Sequence, residues 1–170
     1  MMGPFQLNSG GLLWLTMLLA SAIAFTSLAQ NTALIPGQQL LQKYAGSEDT
    51  DAFLNEPKVR DALQRLLREE LPHLQRNLDV RGSVDVISGA LSISGNAPHQ
   101  GTEEEAVVCI STYNLVVSAA IYSSGMVTVY SGIEQYETLQ LCIKDWITLA
   151  NSEHRDRMTQ PGNVRMVGSN

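Results

Sequence analysis

The chain has 170 residues, 17 acidic against 11 basic side chains, and a formal net charge of −6. That length fits one domain and holds too few repeats for a solenoid. No Lys/Arg patch is present to neutralise phosphates, which excludes a basic nucleic-acid binder.

The first charged side chain of either sign is Lys43. Before it, Leu12 to Ala29 (LLWLTMLLASAIAFTSLA) has 14 apolar residues in 18. The block reads either as a secretory signal, with Ser27-Leu28-Ala29 as a small-x-small site, or as a membrane anchor at the short end of the spanning range. The signal reading lacks a basic n-region, but the anchor reading lacks the basic stop-transfer flank that would hold it. Residues 1–29 are therefore expected to be a cleaved signal peptide, with no stable membrane insertion after cleavage. Residues 30–50, rich in Gln, Ala, Gly and Ser with one Pro36-Gly37 turn signal, read as a leader or linker with a single helical turn near Leu40 and Leu41. The folded body is expected over 51–150. Residues 151–170, with Pro161-Gly162 and no apolar period, read as a flexible polar tail.

Within the body, Asn55 is a candidate N-cap and Pro57 sits in a first helical turn. Val59, Ala62, Leu63, Leu66 and Leu67 then recur at helical spacing. Leu71-Pro72 interrupts that stripe, and Leu74 and Leu78 suggest a short second helix. From Gly82 the period changes. Ser83–Ile87, Ala90–Ser94, Glu105–Ile110, Leu115–Tyr122 and Met126–Tyr130 are five predicted strands, mostly joined by short turns. Leu139, Cys142, Ile143, Trp146 and Ile147 predict a final helix. The expected fold is α+β: a five-stranded antiparallel meander flanked by helices. Cys109 and Cys142 are either one disulfide in an oxidising compartment or two small buried hydrophobes.

The connection from Gly95 to Glu104 is the longest between the strands. Long, Gly-bracketed loops on a sheet are where function concentrates. Pro98 fixes the backbone before His99, an imidazole that can donate, accept and charge near neutral pH. The bland alternative is a surface loop whose histidine does nothing. Glu103-Glu104-Glu105 invites a metal or acid/base reading, but consecutive residues of a strand point to alternate sides. A zinc site needs three or four ligands at ligand spacing, and His73 and His154 lie in unrelated segments. The run is expected to be a solvated acidic rim. There is no nucleophile elbow, phosphate loop or HExxH signature, so neither an enzyme nor a metal or other cofactor is expected.

The segment Gly95-Asn96-Ala97-Pro98-His99-Gln100-Gly101 resembles the recognition loop of the inhibitor of vertebrate lysozyme (Ivy) family, periplasmic proteins of Gram-negative bacteria. That family's loop has the form Cys-x-Pro-His-x-Cys, closed by a disulfide. Pro98 and His99 match the Pro-His pair, while Asn96 and Gly101 stand where the cysteines would be. A leucine-rich helix and the strand Leu91-Ser92-Ile93-Ser94-Gly95 before the loop, and Glu105-Ala106-Val107-Val108 after it, are also similar, so the likeness spans roughly Phe53 to Trp146. The resemblance implies a periplasmic inhibitor. Its loop, Asn96, Ala97, Pro98, His99, Gln100 and Gly101, would plug the cleft of a c-type lysozyme, with His99 between the catalytic carboxylates. The implied partner is a basic lysozyme-type muramidase, which a net charge of −6 would help to steer. The missing loop disulfide demands another brace or a larger ordering cost on binding. It also suits a periplasmic binding or envelope-maintenance module of the same fold without lysozyme inhibition. A third reading is an acid/base hydrolase using His99 with Glu103 to Glu105. The residues leave a homodimer open.

Overall fold

The computed structural model describes residues 35–153 and 162–168. The expected signal peptide, 1–29, and His154 lie outside them. Helix α1 (Pro36–Tyr44) opens on proline, whose missing N–H costs nothing at a helix start, and turns Leu40 and Tyr44 into the core. The Lys43 ammonium and the Tyr44 hydroxyl both donate to Glu56, at 3.0 and 2.7 Å. From Pro36 onward the expected linker is thus part of the fold. Its stripe, Leu40 and Tyr44 at i and i+4, is too short to register as a period.

Helix α2 (Thr50–Leu54) is capped by Asp49, whose carboxylate accepts from the Ala52 N–H at 3.0 Å. Helix α3 (Pro57–Leu67) buries Val59, Leu63 and Leu67, the stripe read from the sequence. Asn55, expected to open α3, instead closes α2, and its side-chain amide donates back to the Asp51 carbonyl. A 3-10 turn over Arg68–Glu70 leads into α4 (Leu71–Arg76), which buries Leu74.

Among the described residues, seven strands form one sheet: β1 (Val80–Arg81), β2 (Asp85–Ile87), β3 (Ala90–Asn96), β4 (Glu104–Ser111), β5 (Val117–Ser123), β6 (Met126–Ser131) and β7 (Val164–Gly168). The order is β1-β3-β4-β5-β6-β7, with β2 beside β1 on the same edge of β3. From β2 to β6 neighbours pair antiparallel, as expected of a meander. The five-stranded, wholly antiparallel sheet must nevertheless be corrected: β7 joins β6 in parallel, from within the stretch read as a flexible tail. Two buried amides place it. Asn151 at the end of α5 (Leu141–Glu153) and Asn163 just before β7 exchange hydrogen bonds at 3.2 and 2.7 Å, and Asn163 also donates to the Gly125 carbonyl. Polar anchors of this kind leave no apolar period to read.

Layers of helices cover both faces of the sheet. Ala106, Val108 and Ile110 of β4 pack with Val117, Ala119 and Ile121 of β5 against α1, α3 and α4. Val107, Cys109, Ala120 and Tyr122 face the other way, against Leu139, Ile143, Trp146 and Ile147 around α5. Central strands buried on both sides read as unbroken apolar runs, as β4 and β5 do. Cys109 on β4 and Cys142 on α5 are both buried and are paired across this second layer, Cα atoms 6.3 Å apart, inside the disulfide range.

Candidate functional site

Strands β3 and β4 extend further toward each other than their sequences indicate, to Asn96 and Glu104, leaving a seven-residue loop, Ala97 to Glu103. Two successive turns build it. The Gln100 N–H donates to the Ala97 carbonyl at 3.0 Å, with Pro98 and His99 as the central pair. His99 has φ +62°. Proline followed by a residue at positive φ is the pattern of a type II turn, in which glycine or asparagine usually fills the second place. Histidine tolerates that region better than most residues, though still at a cost. Next, the Gln100 carbonyl accepts from both Glu103 and Glu104 N–H, at 3.1 and 3.0 Å, with Thr102 at φ +72°. Pro98, His99, Gln100 and Gly101 are exposed, whereas Ala97 is buried beneath them. The fold thus presents the imidazole of His99 at the outer end of a loop whose base is packed.

The six expected loop residues are together, and the two at the cysteine positions touch. The Asn96 side-chain amide donates to the Ala97 carbonyl at 2.9 Å and lies 3.5 Å from where a Cβ on Gly101 would stand. At the loop's other side, the Thr102 N–H donates to the Glu105 carboxylate at 3.0 Å.

The acidic run divides where the loop gives way to β4. Glu103 is exposed, but Glu104 turns under the α4 layer with its side chain only 16% exposed. A solvated rim is therefore the wrong description of Glu104. His73 Nε2 lies 2.8 Å from its carboxylate, the Asn77 amide donates to it at 3.0 Å, Arg76 at 3.3 Å, and the Ser123 hydroxyl bonds its other oxygen. His73 Nδ1 in turn lies 3.2 Å from Glu70. Burial pushes the Glu104 carboxyl up, but the bonds from His73, Ser123 and Asn77, with the charge on His73, outweigh it and hold it down to about 2. A carboxylate this firmly ionised is an anchor rather than a proton donor.

In sequence His73 is remote from the loop, yet the fold sets it against the residue that closes it. The available signal was local: His73, Arg76 and Asn77 stand at i, i+3 and i+4, one face of a helix. What they face, 27 to 31 positions along the chain, is a property of the fold.

The chain thus sets helices before a meander and carries the Pro-His loop between β3 and β4. Neither the curated proteins nor the solved structures searched gave a match to this chain. The profile of the inhibitor of vertebrate lysozyme (Ivy) family, by contrast, matches residues 58–151, from the start of α3 to the end of α5 and across the whole His99 loop, and the chain belongs to that family.

Proposed function

We propose that this chain is an exported inhibitor of c-type lysozyme, that it acts in the periplasm with Cys109 and Cys142 joined, and that it blocks the catalytic cleft with the Pro98-His99 loop. The observation that carries this reading is the family match across the whole loop, at whose outer end His99 stands exposed and at φ +62°. Backbone strain is kept where the surroundings over-determine it, and such places cluster at functional sites.

The chemistry suits the target. A c-type lysozyme works with one protonated and one ionised carboxyl group. An imidazole accepts a proton at one nitrogen and donates from the other, so a single ring can satisfy both groups while excluding the sugar. Asn96, Gln100 and Gly101 form the collar around that plug, above the buried Ala97. A net charge of −6 favours encounter with a basic muramidase.

The test is lysis of a cell-wall suspension by c-type, invertebrate-type and goose-type lysozymes in the presence of the purified protein. Inhibition of the c-type enzyme is expected at micromolar inhibitor or below, and none at that concentration overturns the reading. His99→Ala should then raise the inhibition constant tenfold or more, about 1.4–4 kcal/mol for a central anchor. An unchanged constant would remove His99 from the site.

A further inference from the structure

Resting on the reading of the His99 loop as the inhibitory element, we propose that His73 and Glu104, with Asn77, are positioning residues that hold the loop in its binding shape. Glu104 is where loop and helical layer meet. Its main chain closes the loop from both sides: its carbonyl accepts the Ala97 N–H at 2.9 Å, and its N–H donates to the Gln100 carbonyl at 3.0 Å. Its side chain is fixed in the opposite direction, by His73 on α4, by Asn77 just after it and by Ser123 at the end of β5. His73 is itself set at both ring nitrogens, by Glu104 and by Glu70. Asn77 is fully buried, and its amide donates both to the Glu104 carboxylate and to the Glu105 carbonyl, at 3.0 and 3.4 Å. The first two residues of β4 are thereby fastened to the helices immediately after the loop ends.

Bonds to an ionised group are shorter and stronger than neutral ones, and a network in a half-buried site strengthens its members. With Glu104 fixed, the two hydrogen bonds of its main chain define where the loop begins and ends. Freed, the β4 end can fray, and the turns that carry His99 lose their common base. Binding then needs the loop to be ordered first, and the apparent inhibition constant rises by the inverse of the fraction still in the bound shape. Should that fraction fall to about a tenth, the constant rises about tenfold.

The competing account is that the cluster merely cements α4 to the sheet. Glu104→Gln and His73→Gln in the full chain separate the two. Positioning predicts that hydrogen exchange at the Gln100, Glu103 and Glu104 amides accelerates about tenfold, while the centres of β4 and β5 keep their protection. The inhibition constant should rise by a similar factor. A second pair of substitutions supplies the rescue. Gly101 has an ordinary backbone conformation, and a Cβ there would meet only the Asn96 side chain. An Asn96→Cys/Gly101→Cys disulfide should therefore close the loop without strain. Placed on Glu104→Gln, it should return loop exchange and inhibition to within about twofold of the parent, whereas cement between layers would not be restored by a bond inside the loop. Unchanged loop exchange in both single variants, or a loss the cross-link does not restore, overturns the proposal. The exchange arm needs no lysozyme. If the parent inhibits none, the functional reading falls while the brace is still decided.

Discussion

Strand β4 ends in an exposed loop at each end, and the two are held by different means. Beyond Ser111, the turn into β5 presents Tyr113, 87% exposed, and Leu115 at φ +59°. Within the turn, the Ser111 hydroxyl accepts from the Tyr113 and Asn114 N–H groups, and the Asn114 side chain from Val116. Neutral groups also tie it to the rest of the fold: the Thr112 N–H and hydroxyl donate to the Gly89 carbonyl, and the Gln140 amide donates to the Val116 carbonyl. The contact is tight as well, because α1 brings Gly37 so close that a Cβ there would overlap the Thr112 carbonyl. At the other end, the His99 loop is fastened through charge and hydrogen bonds on Glu104. Exposure and a strained backbone therefore do not by themselves mark a functional loop, since both ends have them. What sets the His99 end apart is that its brace is an ionised carboxylate, held by side chains of the helical layer.

The tightly packed end should break hardest. Glycine near a helix start ordinarily gains from replacement by alanine, by about 0.5–1 kcal/mol. For Gly37→Ala the sign reverses, because the overlap is with backbone and only an outward shift of α1 relieves it, unseating Leu40 and Tyr44. A loss of about 3 kcal/mol or more is expected in urea unfolding. Gly101→Ala at the other end meets only the Asn96 amide, at ordinary contact distance, and should stay within about 0.5 kcal/mol of the parent. Equal losses in the two variants would erase the contrast.

This pair of glycines also shows what the sequence could and could not tell. The α3 stripe, the β2-to-β6 meander and the final helix were legible because each repeats its signal over several turns or strands. The Pro98-His99 loop was legible because proline and glycine act locally on the chain. Gly37 looked like a turn signal in a linker, since the carbonyl that requires it lies 75 positions away. His73 and Glu104 looked like a stray histidine and a wet acid for the same reason. β7 was hidden because the Asn151–Asn163 amide pair that seats it carries no hydrophobic period. Periodicity reports which face of an element is buried, not which distant polar group it meets.

The ionised end should break next, with acid. Glu104 is held down to about 2 in the fold, below the usual carboxylate value near 4.5. A group depressed in this way contributes stability that is complete above its unfolded value and is lost as the pH falls from about 4.5 toward 2. After discounting for solvent screening, the contribution is on the order of 2 kcal/mol. Urea midpoints followed from pH 6 to 2.5 should fall steeply for the parent and more gently for Glu104→Gln, while Tyr113→Ala keeps the parent slope. Parallel curves for parent and Glu104→Gln would show that the carboxylate bears no part of the fold's acid sensitivity.

The smallest effect is the most discriminating. His99 and Leu115 occupy nearly the same backbone region, at φ +62° and +59°, one at each end of β4. Glycine relieves the left-handed penalty at either position, about 1 kcal/mol, and gives back part of it through the greater freedom of the unfolded chain. At Leu115 the substitution also removes a side chain packed against the core, so Leu115→Gly should lose about 1–2 kcal/mol net. At His99 the ring is exposed, and nothing offsets the relief. His99→Gly should therefore leave stability unchanged or raise it by about 0.5 kcal/mol, while inhibition is lost. A residue whose removal leaves the fold as stable, or more so, and abolishes binding is kept for the partner and not for the fold. A clear loss of stability on His99→Gly would instead place the ring among the fold's own contacts and leave the loop without a plug.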